Sequence, residues 1–202
     1  MTITIVTHTA MAGGSPEDHM LAAALSQEHA VAARFAVWDD PATDWGATAI
    51  TVIRSTWDYH LKPATWHDWL DHASRRTRLV NDVGIIRWNS DKSYLLDLAA
   101  AGVSIVPTLV LDDPGSLTVQ CAERGWHDVV IKPIVGAGAS GAKRFAGDAI
   151  ASRGVGHAAT LLATGKALVQ PYQAAVETER ERSLVFVAGR FTHAFTKPPF
   201  LA

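Results

Sequence analysis

The sequence is poor in cysteine: Cys121 is the only one in 202 residues. A single thiol builds neither a disulfide framework nor a cysteine metal cluster, and it suits a reducing compartment. Excess charge is missing too. Eighteen Lys and Arg oppose twenty Asp and Glu, for a formal net charge of −2, so nothing marks nucleic acid as a partner. No apolar run reaches membrane-spanning length. The opening MTITIVTHTAMAGG has no basic segment followed by a long apolar one and does not read as a signal peptide. The nine histidines fall in no His-Glu-x-x-His or similar ligand spacing, which disfavours a zinc site. Internal repeats and low-complexity tracts are absent. These absences leave a soluble cytoplasmic protein as the expectation, with 48% hydrophobic residues to form one large or two small cores.

What is present alternates. ITIVTH, AVAARFAVW, ATAITVIRSTWDY and TRLVND read as strands. SPEDHMLAAALSQ and PATWHDWLDHASRR between them read as helices, the first with Ser15 as N-cap, Pro16 at the first helical position, and Glu17 and Asp18 in the first turn. The alternation predicts an α/β, Rossmann-like N-terminal domain over residues 1–88. Trp38, Trp45, Trp66, Trp69 and Trp88 are expected in the core, since no basic patch interleaves them as in a base-stacking platform. After IIRWNSDK, the run SYLLDLAAAG predicts a helix stopped by Gly102. VSIVPTLVL, DVVIKPIV, KALVQPY and a hairpin around AGR (residues 188–190) then predict a unit richer in antiparallel strand.

The stretch VVIKPIVGAGASGAKRF, residues 129–145, places Lys132 inside an apolar run and follows it with Gly136, Gly138 and Gly141. An ammonium there is costly to desolvate unless an anion meets it, and clustered glycines let backbone N–H groups approach a ligand. A phosphate site is implied. GAGASG matches the dinucleotide fingerprint, but Gly147 interrupts any following helix and no acid lies between Asp148 and Glu177 to hold a ribose. A P-loop fails as well, because Lys143 comes one place late and Arg144 follows it.

The ordered set WNSDKSYLLDL, VVIKP with its glycine loop, and ALVQPY with acids after it resembles the ATP-grasp family, in the branch of glutathione synthetase and the ribosomal-protein glutamate ligases. Within it, RSTWDYH, RWNSDKSYL and ERSLVFVAGRFTHA are similar to a bacterial group of cycloserine-forming cyclo-ligases, which implies a place in antibiotic biosynthesis. The resemblance implies a Rossmann-like substrate domain (1–88), a first ATP-grasp part with a glycine-rich lid (89–169), and the start of a second part (170–202), the ATP-grasp domain being incomplete at its C-terminus. It also implies ATP and Mg²⁺, an acyl-phosphate intermediate, a small amino-acid-like substrate and C–N bond formation, by ring closure or between two molecules. Lys92 and Lys132 match phosphate-binding lysines, and Gly136, Gly138, Ser140 and Gly141 match the lid. Gln170 and Tyr172 match the adenine hinge, and Glu177 matches the ribose acid with Glu181 as rival. Arg182 matches a basic residue near the reacting phosphate. Arg180 stands in ETERERS where the pattern leads one to expect glycine. The competing reading is a nucleotide-binding module without ligase activity.

RSTWDYH ends a predicted parallel strand, where ligands gather in open α/β sheets. Arg54 can hold a substrate carboxylate bidentately, with Trp57 and Tyr59 as walls and His8 facing the same crevice; the bland alternative is an Arg54–Asp58 pair tying down a loop. Metal ligands are not assignable: after Arg182 the chain has no Asp, Glu or Asn, although phosphoryl transfer needs oxygen ligands for its metal. They are expected beyond residue 202, in a longer protein whose apolar FLA end would otherwise leave a sheet edge uncovered. The expected outcome is that residues 1–202 alone show no ligase activity and bind Mg²⁺-ATP poorly; full turnover by the purified 202-residue chain would refute it.

Overall fold

A computed structural model describes residues 1–198; the FLA end lies outside the described residues. Two compact units are present, Met1–Tyr94 and Leu95–Ala202.

The first unit contains β1 (Thr2–Thr7), α1 (Pro16–His29), β2 (Ala32–Val37), β3 (Ile50–Ser55), α2 (Pro63–Ser74), β4 (Arg78–Val80) and α3 (Val83–Ser90). Its sheet runs β2-β1-β3-β4, with every pair parallel. The chain leaves β1 through α1 to reach β2 on one side, then returns to β3 on the other. The strand order therefore reverses between β1 and β3, the point where such sheets open a ligand crevice.

Four tryptophans fill the core beside the sheet. Trp66 stacks on Trp69 at 4.8 Å between ring centroids, and Trp38 meets Trp66 nearly edge-on at 5.3 Å. The Trp38 indole N–H donates to Asp58 Oδ1 at 2.8 Å, so its polar edge is satisfied inside the cluster. Trp45 is buried with them. Trp88 corrects the expectation: it is 42% exposed and lies against Tyr94. On α3 the buried positions are Ile86 and Ser90, four apart, and residue 88 falls on the opposite side of the turn.

Helix α1 begins as its sequence demands. The Ser15 backbone N–H donates to Asp18 Oδ2 at 2.9 Å and Asp18 N–H donates to Ser15 Oγ at 3.2 Å, a reciprocal capping box. Asp18 is fully buried. It also accepts from the Ser55 hydroxyl and from Arg54 Nε at 3.1 Å, which joins the start of α1 to the end of β3. The Arg54–Asp58 pair is thus replaced: Arg54 bonds Asp18, and Asp58 serves Trp38. Burial would raise the Asp18 pKa, but the hydrogen bonds from Ser55, Ser15 and Arg54 outweigh it and hold the carboxyl below its ordinary value.

The second unit holds α4 (Tyr94–Ala100, begun at the boundary), β5 (Leu109–Leu111), α5 (Leu117–Glu123), β6 (Asp128–Pro133), β7 (Lys143–Ala146), α6 (Val155–Leu162), β8 (Ala167–Pro171), α7 (Ala175–Glu179), β9 (Glu181–Val187) and β10 (Arg190–Lys197). Gly102, at φ +82°, follows α4. One sheet is antiparallel throughout, in the order β5-β8-β6-β7. Its apolar face carries Leu111, Val129, Ile131, Phe145, Ala167 and Val169, which pack with Leu117 and Cys121 of α5 and Ala158 of α6. Burial pushes the Cys121 thiol pKa up, as for an inert core cysteine. Strands β9 and β10 form a separate hairpin whose turn, Ala188 and Gly189, has positive φ at both positions, as a tight two-residue turn requires. Leu184, Phe186, Val187, Phe191 and Phe195 on it are exposed.

Arg180, between α7 and β9, adopts φ 63° and ψ 171°, a region that essentially only glycine occupies without cost. The place where glycine was expected therefore has glycine geometry and an arginine in it. Arg180→Gly is expected to relieve about 1–3 kcal/mol of strain and raise the thermal midpoint of the second unit; an unchanged or lower midpoint would show that the arginine is unstrained. Asp18→Asn is expected to lower stability by about 1–2 kcal/mol at neutral pH through the lost charged hydrogen bonds. Because the folded pKa lies below the unfolded one, this stabilisation is complete above about pH 4 and fades as pH falls through the folded value. The gap between wild-type and variant melting temperatures should narrow below pH 4, and a gap that persists there would contradict the ionised role.

Candidate functional site

The sheet of the second unit has one apolar face, and the candidate site occupies the other. Along β6, Val129 and Ile131 point to the core, so Asp128, Val130 and Lys132 point the opposite way. Pairing places Gln170 opposite Val130 and Arg144 on the other flank of Val130. One further step in the β5–β8 register, which pairs Leu109 with Val169, sets Thr108 opposite Gln170. Thr108, Gln170, Lys132 and Arg144 therefore share a face that local sequence does not reveal.

Lys132 Nζ donates to Gln170 Oε1 at 2.7 Å. They are diagonal cross-strand neighbours, within reach for long side chains. Gln170 Nε2 donates to Thr108 Oγ1 at 2.7 Å, and the Thr108 hydroxyl donates to the Val106 carbonyl at 2.8 Å. Burial lowers the Lys132 pKa from the ordinary lysine value, and the Glu181 carboxylate opposes that shift. Among the described residues no carboxylate forms an ion pair with Lys132. A half-buried ammonium is thus met by a neutral amide, with a negative charge near but not touching.

The glycine segment lies between β6 and β7, which pair antiparallel. No helix follows it, which removes the dinucleotide and P-loop alternatives. Its tip turns twice, with Ser140 N–H donating to Ala137 O and Ala142 N–H to Ala139 O, both at 3.0 Å. Gly138, Ala139 and Gly141 have positive φ. A Cβ on Gly141 would meet Pro133 at 3.1 Å, whereas one on Gly138 would meet nothing within 4 Å; Gly138 is there for backbone conformation, Gly141 for both conformation and space. Gly138, Ser140 and Gly141 are exposed and Gly136 is half-buried. His157 of α6 bonds the Gly141 carbonyl through Nε2 at 2.9 Å, tying one end of the loop to the body.

Arg144 was noted in the sequence only as the residue that spoils a P-loop. It organises the neighbouring cluster. Its Nε and Nη2 form a fork on Asp128, with bonds of 3.0 Å to Oδ1 and 2.8 Å to Oδ2, and Nη1 donates to Glu177 Oε1 at 2.9 Å. Its guanidinium lies 3.5 Å from the Tyr172 ring centroid, and the Tyr172 hydroxyl donates to the same Glu177 oxygen at 2.8 Å. The bonds from Tyr172 and Arg144 lower the Glu177 pKa. Glu177 and Tyr172, assigned to ribose and adenine, are therefore engaged with each other and with Arg144. Glu181 begins β9 within electrostatic reach of Lys132, and Arg182 beside it is exposed, 3.7 Å from Glu179.

In the first unit, His8 leaves β1 and its Nδ1 donates to the Ser55 carbonyl at 2.7 Å, across the point where strand order reverses. Trp57, 52% exposed, lies 5.7 Å from the His8 ring. Arg54 spends Nε on Asp18 and is 43% exposed, which leaves its terminal nitrogens as the outward edge. Tyr59 instead packs on Trp66 at 5.4 Å between centroids, beside the tryptophan core. Lys92 sits half-buried in the turn between α3 and α4, a turn fixed by Ser93 N–H donating to Asp91 Oδ1 at 2.7 Å. Among the described residues no group of three or more His, Cys, Asp or Glu side chains could hold a metal ion. No helix among them is long and apolar enough to cross a membrane.

Comparison with known proteins agrees with this architecture. The N-terminal domain of D-cycloserine synthetase DcsG matches residues 3–81. The cycloserine biosynthesis protein DcsG of Streptomyces lavendulae is 33% identical over 171 residues, covering 81% of this chain and 56% of that protein. The crystal structure of D-cycloserine synthetase DcsG superposes with a TM-score of 0.89 at 29% identity, covering 100% of this chain and 69% of that one. A RimK domain ATP-grasp protein from Sphaerobacter thermophilus shares the fold, with a TM-score of 0.69 at 20% identity over 92% of this chain. The chain thus spans little more than half the length of its curated relative. With its parallel N-terminal sheet, its antiparallel lysine-bearing sheet and these likenesses, the chain has the fold of the ATP-grasp ligases and is closely related to D-cycloserine synthetase DcsG.

Proposed function

We propose that this chain carries the substrate-binding unit and the first nucleotide-binding part of an ATP- and Mg²⁺-dependent ligase that forms a C–N bond. The observation that carries the proposal is the Lys132 ammonium: half-buried, held by an uncharged amide, and flanked by a glycine loop. Such a cation is under-neutralised, and a phosphate oxygen supplies the missing charge. Lys92 is the second phosphate lysine. Gly136 to Gly141 form the lid whose N–H groups meet the transferring phosphoryl group. Gln170 and Tyr172 border the base. For the ribose hydroxyls the geometry favours Glu181, because Arg144 and Tyr172 already engage Glu177.

In the proposed reaction a substrate carboxylate oxygen attacks the γ-phosphorus, ADP leaves, and an acyl-phosphate forms. An amine then attacks the carbonyl and expels inorganic phosphate as the C–N bond closes. The outward edge of Arg54, beside His8 and Trp57, binds a carboxylate of the small amino-acid-like substrate. Arg182 stands near the reacting phosphate. Among the described residues no group of three or more His, Cys, Asp or Glu side chains is placed to hold the Mg²⁺. The relatives' names place them in cycloserine formation, and we extend that chemistry, an intramolecular ring closure in antibiotic biosynthesis, to this protein. Dependence on ATP and the lone buried thiol suit a cytoplasmic setting.

Lys132→Ala and Lys92→Ala, made in the full-length protein, are each expected to weaken ATP binding by about 1.5–3 kcal/mol with the fold retained. Arg54→Ala is expected to raise KM for the carboxylate substrate and leave KM for ATP nearly unchanged. Calorimetry with ATP and an ADP-release assay check both. Unchanged nucleotide affinity in both lysine variants would overturn the assignment. ATP binding without substrate-dependent ADP release would identify a nucleotide-binding module instead of a ligase.

A further inference from the structure

The hydrogen bonds around Lys132 have a direction, and it is set 62 residues from Gln170 in sequence. The Thr108 hydroxyl has a single proton, and it goes to the Val106 carbonyl at 2.8 Å. Toward Gln170 the same oxygen can only accept, and it meets Nε2 at 2.7 Å. The amide must then turn its carbonyl oxygen the other way, onto Lys132 Nζ at 2.7 Å. The Val106 carbonyl is itself on a stiff segment, because Val106 precedes Pro107 and is restricted to extended backbone. The terminal torsion of a glutamine is otherwise broad and weakly restrained. Nothing in the family assignment gives Thr108 a role; it lies before β5, outside every motif.

We propose that Thr108 is a positioning residue for Lys132, acting through Gln170: it holds the amide so that the carbonyl end faces the ammonium and fixes Nζ in place. The proposal rests on the nucleotide reading of Lys132. Without the hydroxyl, the amide loses the partner for its N–H end and swings about its last torsion. The ammonium then follows a moving acceptor, and a phosphate contact that depended on a fixed charge weakens. Thr108 touches neither the nucleotide nor the reacting atoms in this scheme. Its effect on the ammonium passes through Gln170 to Lys132, and dependence on Lys132 separates it from a merely structural threonine.

The test is a double-mutant cycle on the full-length protein, read as ATP affinity by calorimetry with thermal unfolding of every variant. Thr108→Val is expected to weaken ATP binding about tenfold, the loss of one charge-assisted contact, and Thr108→Ser, which keeps the hydroxyl, to stay within about twofold of wild type. In a Lys132→Ala background, Thr108→Val is expected to cost under about twofold, since coupled residues are not additive. If Thr108→Val does not fold, Thr108→Ala removes the hydroxyl with less bulk and enters the same cycle. Wild-type protein with no affinity for ATP would refute the nucleotide reading and this proposal with it. ATP binding that loss of the hydroxyl leaves unchanged, or weakens equally with and without Lys132, would overturn the positioning role alone.

Discussion

The second unit is organised by the need to keep one ammonium half out of water without neutralising it. Lys132 extends from a strand whose other face is the core, so burial of Val129 and Ile131 also fixes the direction of the lysine. A carboxylate partner would have removed the cost of desolvation, and with it the attraction for a phosphate. Gln170 gives one hydrogen bond and no charge, and Glu181 acts only through space. Lys132 thus has a hydrogen-bond partner and, among the described residues, no contacting counter-charge. The acids of the neighbouring cluster, Asp128 and Glu177, are taken by Arg144.

The first unit solves a similar problem in the opposite way. Asp18 is a fully buried carboxylate, and it is saturated: a backbone N–H, a serine hydroxyl and Arg54 all point at it. Its role is to join a helix start to a strand end, and in doing so it fixes the Nε side of an arginine whose far edge reaches solvent. Both units hold a cation by a side chain that is itself held. In one the holder is ionic and local to a capping box; in the other it is neutral and reaches back across three strands.

Much of the fold was legible from local pattern. The four parallel strands, the capped α1 and the β9–β10 hairpin follow from alternation, N-cap chemistry and a tight turn, each of which is written within a few residues. The elements that escaped, α3, β7, α6 and α7, have weak local signals: α3 opens with Val83 and Gly84, β7 is four residues led by Lys143 and Arg144, α6 follows Gly154 and carries Gly156 in its first turn, and α7 is only five residues long. The lysine and its glycine loop could be read because an ammonium in an apolar run is locally anomalous. Arg144, Asp18 and Thr108 could not, since their partners are 16 to 62 residues away and only strand register brings them together. Trp88 was misplaced because composition alone cannot tell which side of a short helix is buried.

The two-faced strand β6 also governs which changes in length the protein can tolerate. A strand alternates with period two, so a one-residue slip exchanges its faces. Deleting one residue within Asp128–Pro133 would drive the ammonium into the cluster of Leu111, Phe145 and Val169, or turn Val129 and Ile131 toward the face that carries Gln170 and Arg144. The glycine segment that follows has no such parity, because its tip is exposed and bonded mainly to itself. Insertions and deletions should therefore accumulate between residues 137 and 142 and stop abruptly at Pro133, so that the loop varies in length among related chains while the strand keeps its count.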